Sequence, residues 1–361
     1  MQLYLDNLFI EFTLPISEWF ATDAQTDFSK WLYVLTAEEV KDIGHALEIT
    51  LKAGHRNCDT MTKKDFPLQS SLTAVAAVLD HIENDMGLFV LRGIPAERYS
   101  KDEMRMIYWG IGLHLGTAVS QSSKGDVLGD VKNFGDFHSP HSAAGRGYMS
   151  RMHLSFHTDS SDVVSLMVLN TAKSGGLSMI CSSIAVRNQI ARKRPDLLKV
   201  LFEDFYWSWK GHESAGSLPY YKQPIFSEEG GRFACRFIPT HIYSAQEFSD
   251  VPRLTENQKE AISMIDETAN DDRFHFSMMF EPGDIQFLNN HITFHARTEF
   301  EDDDSIERRR HLLRMWLCPP NSRRLSPALG EFYHDQRPGA VRGGFPSRTG
   351  QVLFETIASE V

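Results

Sequence analysis

The chain has 361 residues, 42% hydrophobic and 24% charged, so a sizeable core is available and wholesale disorder is excluded. Lys and Arg total 37 against 48 Asp and Glu, a net charge of −11, which argues against a nucleic-acid grip built on bulk charge. The four cysteines (Cys58, Cys181, Cys235, Cys318) form no CxxC pair, which disfavours a disulfide framework or a thiolate zinc site, whereas 15 histidines leave room for a histidine-based metal site. Read in chain order, Met1 to Leu14 carries Asp6 and Glu11 but no Lys or Arg, unlike a secretory signal or a transit peptide. No stretch reaches the ~18 apolar residues of a membrane span, so the expectation is a cytoplasmic protein with no membrane partner.

The first ~115 residues read as mixed helix and strand. Thr36 with Glu39 forms a capping box ahead of Val40, Ile43, Leu47 and Leu51, and Ser100 with Glu103 forms another ahead of Met104, Ile107 and Ile111. Between them, Leu72 to Ile82 is helical in period, and Gly87 to Gly93 reads as a short buried strand. From ~116 to ~160 periodicity is lost, and a loop this long is usually functional or disordered. Strands follow at Val163 to Leu169 and Leu177 to Cys181, then helices at Ser183 to Lys193 and Pro195 to Glu203. Residues 204–250, rich in Tyr and Trp with Gly breaks, read as an insertion with short strands. Thr255 with Gln258 caps a further helix, and strands are expected at His275 to Phe280, Asp284 to Leu288 and His311 to Leu317, before an irregular tail over 326–361. The sum is one α+β domain whose β core is a sandwich or barrel.

Three segments carry chemistry. In His157-Thr158-Asp159, strand geometry would put residues i and i+2 on one face, so the imidazole and the carboxylate can reach one metal ion. Two histidines and a carboxylate form a facial triad suited to non-haem Fe(II). A comparable His81-Ile82-Glu83 reads as an exposed helix face. For a third ligand, His295 is the better candidate and His291 the alternative, both in Asn289 to Arg297. In the third segment, Arg310, Leu312, Arg314 and Trp316 share one strand face, and two buried guanidinium groups there call for anions. Arg308 and Arg309 read as a solvated strand entrance.

His157-Thr158-Asp159-Ser160, Asp162-Val163-Val164, Lys173-Ser174-Gly175-Gly176, Asn289-Asn290 with His295-Ala296-Arg297, and Arg310-His311-Leu312-Leu313-Arg314 occur in that order. This ordered set resembles the taurine dioxygenase (TauD/TfdA-type) branch of the Fe(II)/2-oxoglutarate-dependent oxygenases, over about residues 87 to 325. The resemblance implies a double-stranded β-helix (jelly roll) with flanking helices over a core at 116–325. It implies Fe(II) on His157, Asp159 and His295, with 2-oxoglutarate and O2 as cosubstrates. It implies Arg310 and Ser178 for the distant carboxylate of 2-oxoglutarate, and Arg314 for an anionic group of the substrate, with the two arginines' roles open to exchange. Oxidation of a substrate C–H bond, as hydroxylation, desaturation or ring formation, would accompany release of succinate and CO2. Halogenation is disfavoured because Asp159 is present.

The motifs do not name the substrate, and Arg314 suggests a small carboxylate or sulfonate. Ser120, Gln121, Ser123 and His153 are substrate-contact candidates, with Tyr206 and Trp207 as lid residues; His138 and His141 read as loop residues. Homo-oligomerisation is compatible with the sequence. Two other classes stand beside this reading: a cupin-like metal enzyme with non-oxygenase chemistry, and a catalytically silent relative that binds a small molecule.

Overall fold

The structure is a computed structural model that describes residues 18–134, 150–214 and 216–355. Chain order begins with helix α1 (Ala21–Thr26), strand β1 (Leu32–Val34), helices α2 (Ala37–Lys52) and α3 (Leu72–Asn84), strand β2 (Leu88–Arg92) and helix α4 (Lys101–Leu115). Strands β3 (Thr117–Val119), β4 (Leu128–Lys132), β5 (Leu154–His157), β6 (Val163–Asn170), β7 (Ser174–Gly175) and β8 (Ser178–Ser182) follow. Helices α5 (Ser183–Lys193) and α6 (Pro195–Leu201) lead to two hairpins, β9 (Phe205–Ser208) with β10 (Tyr220–Gln223) and β11 (Phe226–Glu229) with β12 (Arg232–Cys235). Helices α7 (Pro239–Ala245) and α8 (Glu256–Ala269) precede β13 (His275–Met278), β14 (Ile285–Asn289), β15 (Thr293–Arg297), β16 (Phe300–Glu301) and β17 (His311–Cys318), and a last helix α9 (Gly330–Tyr333) lies in the tail.

All three sequence-predicted capping boxes form. Thr36, Ser100 and Thr255 each accept from the N–H three residues on, at 3.2 Å, and the acid or amide there accepts in return.

Two sheets make the jelly roll. The larger runs β1-β2-β14-β6-β17-β3, with β4 also on β17, and is antiparallel except for β1 beside β2; the smaller runs β13-β8-β15-β5 and is antiparallel throughout. Strand periodicity sorts the larger sheet's side chains. Leu88, Val90, Val164, Val168, Leu312 and Trp316 join the core that includes Ile180 and Phe294 of the smaller sheet. Their neighbours Phe89, Leu91, Val163, Met167, Leu313 and Met315 join a second core with Ile43, Val78 and Ile107 of the N-terminal helices. Both faces are buried, which is why these strands read as continuous apolar runs rather than alternating ones.

The structure departs from the sequence reading in two places. The expected loop from 116 holds β3 and β4. Gly129 and Asp130 weaken the strand signal of β4, but its backbone pairs with β17, and Asp130 accepts from Arg105 Nη2 at 2.6 Å and meets His311 Nε2 at 2.7 Å. Glu83 is not on an exposed face: it is buried and paired with Arg323 (2.9 Å) and Arg232 (2.8 Å). The tail agrees with the reading of an irregular segment packed on the body, with Arg342 buried against Asp162 at 2.9 Å and Gly344 N–H donating to Ser160 O at 2.7 Å.

Candidate metal and cosubstrate site

His157 ends β5, and His295 is its direct register partner on β15, so the two rings face one another across the smaller sheet with centroids 4.3 Å apart. Asp159 lies two residues past His157, just beyond the strand rather than within it. Backbone bonds turn it back: Thr158 N–H donates to Phe237 O and Asp159 N–H to Asn290 Oδ1, both at 2.8 Å. One ligand atom from each of His157, Asp159 and His295 lies within 4.8 Å of the others.

The electrostatics favour a cation among these groups. Burial pushes His295 down to about 3, reinforced by His157, so its imidazole is neutral near pH 7. Burial likewise lowers His157, against the pull of Asp159. His157 Nδ1 lies 2.8 Å from Ser155 O and donates to it, which leaves Nε2 with its lone pair for a metal. Burial alone raises Asp159, but Arg314, both histidines and the Trp316 indole outweigh it and hold the carboxyl below its ordinary value. Its Oδ2 accepts from Trp316 Nε1 at 2.9 Å and lies 3.5 Å from Arg314 Nη1. Two neutral imidazoles and a buried carboxylate fit Fe(II) and leave coordination positions for other ligands. His291 is not part of this set: it is locked at 2.7 Å onto Asp162 in a separate buried pair.

The same cavity extends to a cationic end. Its lining includes His157, Asp159, Ser178, His295, Arg297, Arg310 and Arg314, with Val131, Leu154, Val164, Leu166 and Phe280 as apolar walls. The even-numbered face of β17 and the residue before it bring Arg310 and Arg314 inward. Arg310 is 4% exposed, and its Nη1 is buried without a partner among the described residues. Burial, then the neighbouring Arg297, lowers its guanidinium to about 9. Ser178 Oγ shares a long contact with Gln286 Nε2 at 3.3 Å. Arg314 sits nearer the metal ligands, its Nε donating to Gln121 Oε1 at 2.6 Å while Gln121 Nε2 donates back to Arg314 O at 2.8 Å.

Other expected contacts fall elsewhere. Ser120 Oγ donates to Ser122 O (2.6 Å), and Ser123 N–H approaches His212 Nδ1 (3.2 Å); neither lines the cavity. His153 is exposed and outside the lining. Trp207 is no lid: it is fully buried, its Nε1 donates to Gln223 O at 2.9 Å, and Arg236 stacks on it at 4.8 Å. Tyr206, on the other face of the same strand, packs edge-on against Tyr220 with centroids 5.8 Å apart. His138 and His141 lie outside the described residues. Sequence reasoning gave no role to Arg297, Asn290 or the Trp316 indole. Arg297 had a signal, because it stands two residues from His295 and so shares its strand face. Trp316 had the same kind of signal, since it shares a strand face with Arg314, whereas Asn290 acts across the fold on Asp159.

Two histidines and a carboxylate between the sheets of a jelly roll, beside buried arginines, mark the class of non-haem iron oxygenases. Comparison with known proteins narrows the class. The family described as taurine catabolism dioxygenase TauD, TfdA family matches residues 52–316. FR-33289 synthase of Streptomyces rubellomurinus is 31% identical over 305 residues, covering 84% of this chain and 89% of that protein. The taurine hydroxylase-like protein SAT17 of Stachybotrys chartarum is 28% identical over 324 residues, covering 83% and 80%. Among solved structures, asparagine oxygenase with Fe(II), 2S,3S-3-hydroxyasparagine and succinate has a TM-score of 0.62 at 15% identity, covering 80% of this chain and 93% of that one. The non-heme iron oxygenase OrfP with Fe and alpha-ketoglutaric acid has a TM-score of 0.58 at 16% identity, covering 79% and 93%. The chain therefore belongs to the TauD/TfdA family. It is an oxidoreductase, an Fe(II)- and 2-oxoglutarate-dependent dioxygenase. No helix among the described residues is long and apolar enough to cross a membrane.

Proposed function

We propose that the whole chain is one oxygenase domain. In it His157, Asp159 and His295 hold Fe(II), Arg310 and Ser178 receive the distal carboxylate of 2-oxoglutarate, and Arg314 faces a small carboxylate- or sulfonate-bearing substrate. The observation that carries this reading is the arrangement of one cavity: three metal-ligating groups within 4.8 Å of one another, and an Arg310 Nη1 that is buried with no partner among the described residues. Bound together, iron and 2-oxoglutarate supply the O2-dependent oxidation of a C–H bond, with succinate and CO2 as by-products.

The chain's own groups do the rest. Burial keeps both imidazoles neutral and ready to ligate. Trp316 and Arg314 hold the Asp159 carboxylate in place and ionised. Val164, Leu166 and Phe280 give the cavity apolar walls, and a ligand that displaces water there makes each polar contact inside it stronger. Arg314 is fixed by Gln121 close to the ligands, so it supports the substrate role, whereas Arg310 lines the cavity with Ser178. The substrate class is also favoured by the relatives. Solved neighbours carry hydroxylated asparagine or arginine, both bearing a carboxylate.

The test is an anaerobic titration of the apo-protein with Fe(II) and 2-oxoglutarate, followed by the visible metal-to-cosubstrate charge-transfer band. A band that needs both components and disappears in His295→Ala is the expected result. Iron binding without any such band would instead favour a cupin-like metal enzyme.

A further inference from the structure

The cavity holds a third arginine, Arg297, which the proposed function leaves without a role. Arg297 stands on β15 two residues beyond His295, and its register partner on β8 is Ser178. Both side chains line the cavity together with Arg310. The Arg297 and Arg310 guanidinium carbons lie 4.8 Å and 5.0 Å from the centroid of one ring, Phe300. Among the described residues no carboxylate forms an ion pair with either guanidinium. Asp302 acts on both from a distance, while its Oδ1 accepts from the Arg310 backbone N–H at 3.0 Å and its Oδ2 lies 3.4 Å from Asn133 Nδ2.

Arg297 Nη2 does have partners, the carbonyls of Ser150 (2.7 Å) and Met152 (2.6 Å). Its Nε, like Arg310 Nη1, is buried without one among the described residues. Elsewhere in the fold, buried Arg323 and Arg342 each meet a carboxylate, Glu83 and Asp162 respectively, at 2.9 Å, and buried Arg236 donates instead to the Tyr221 and Ser160 hydroxyls. Two buried guanidinium groups that repel one another, with no anion between them among the described residues, are destabilising unless a ligand brings the negative charge.

We propose that Arg297 and Arg310 together form a two-arginine clamp on the distal carboxylate of 2-oxoglutarate, with Ser178 as their hydroxyl partner. This rests on the reading of the cavity as a 2-oxoglutarate site. The clamp makes Arg297 a specificity residue. It strengthens binding of a dicarboxylic 2-oxo acid and does nothing for a monocarboxylic one of the same length.

The experiment measures anaerobic binding of 2-oxoglutarate and of 2-oxovalerate to the Fe(II)-loaded protein by the charge-transfer band. Wild type, Arg297→Gln, Arg297→Lys and Arg310→Gln are compared, with thermal melts to confirm folding. Truncating one partner of a buried charged contact weakens binding by about 30-fold or more, and that loss is expected for 2-oxoglutarate in Arg297→Gln. The lysine variant should recover part of it, and 2-oxovalerate binding should change by less than about twofold, since it lacks the carboxylate to be clamped. Equal weakening of both acids would overturn the proposal and make Arg297 a structural tether for Ser150 and Met152. So would unchanged binding of both. Absence of the band in wild type would remove the underlying 2-oxoglutarate reading, an outcome distinct from either.

Discussion

At the metal end of the cavity most polar groups are already held by protein, His295 Nδ1 being the exception, buried with no partner among the described residues. Asp159 receives the Trp316 indole and lies beside Arg314, its backbone N–H is fixed by Asn290, and His157 donates to Ser155 O. At the arginine end the position is reversed, because Arg310 Nη1 and Arg297 Nε are buried with no partner among the described residues. The difference separates two kinds of readiness. Metal ligands need their geometry set before the ion arrives, and surrounding hydrogen bonds set it. An anion site gains selectivity when its charges stay uncompensated until the correct anion enters, since the wrong ligand then leaves buried donors unmet.

The largest effect that would break this picture is at the metal end. Asp159→Ala removes the anionic ligand, and with it the carboxylate that the Trp316 indole and Arg314 Nη1 approach. Anaerobic Fe(II) titration should show stoichiometric binding abolished; wild-type affinity in that variant would remove the triad. Next comes the arginine end. Arg310→Ala should weaken 2-oxoglutarate binding by about 2 kcal/mol or more, the scale for truncating a buried charged contact. Steady-state kinetics should show KM for 2-oxoglutarate rising far more than KM for the substrate. The opposite split would exchange the roles of Arg310 and Arg314. A smaller change sharpens the comparison without removing a ligand. Trp316→Phe deletes one hydrogen bond to Asp159 and should lower iron affinity by about tenfold, the low end for a residue that orients a metal ligand. Iron affinity unchanged in that variant would show that Arg314 and Asn290 alone position the carboxylate.

Much of this was legible in the chain because it is local. The capping boxes at Thr36, Ser100 and Thr255 are three-residue patterns whose bonds close within one turn. Arg310, Leu312, Arg314 and Trp316 obey the two-residue period of a strand whatever it packs against. The features that were not legible depend on partners far along the chain. Strand β4 exists because β17 pairs with it and because Asp130 meets Arg105 and His311, not because Gly129-Asp130 favours a strand. Glu83 looked like solvent-facing charge until Arg323, 240 residues away, was brought onto it. Trp207 looked like a lid because aromatic residues near Gly breaks often are. Its indole instead sits under Arg236, whose guanidinium also lies 4.0 Å from the Phe332 ring in the tail.

That Arg236 layer carries the smallest effect, which concerns stability rather than catalysis. His241 follows it on α7, with its Nδ1 2.8 Å from Ser208 O. Burial, and then the positive charge of Arg236, lowers the imidazole well below its ordinary value of 6.5. The folded protein thus keeps His241 neutral where the unfolded chain would protonate it. Below about pH 6.5 the unfolded state therefore binds the extra proton, and stability falls as pH falls. One such group contributes at most about 1.4 kcal/mol per pH unit. His241→Gln should make the melting temperature of the metal-free protein fall less steeply between about pH 7 and about pH 5. The slope should lessen rather than vanish, because burial also lowers His114, His291 and His311. An unchanged slope would mean that His241 is already protonated in the fold. The Arg236 layer would then tolerate a second positive charge, and its contrast with the arginine end of the cavity, where added positive charge calls for an anion, would lose its basis.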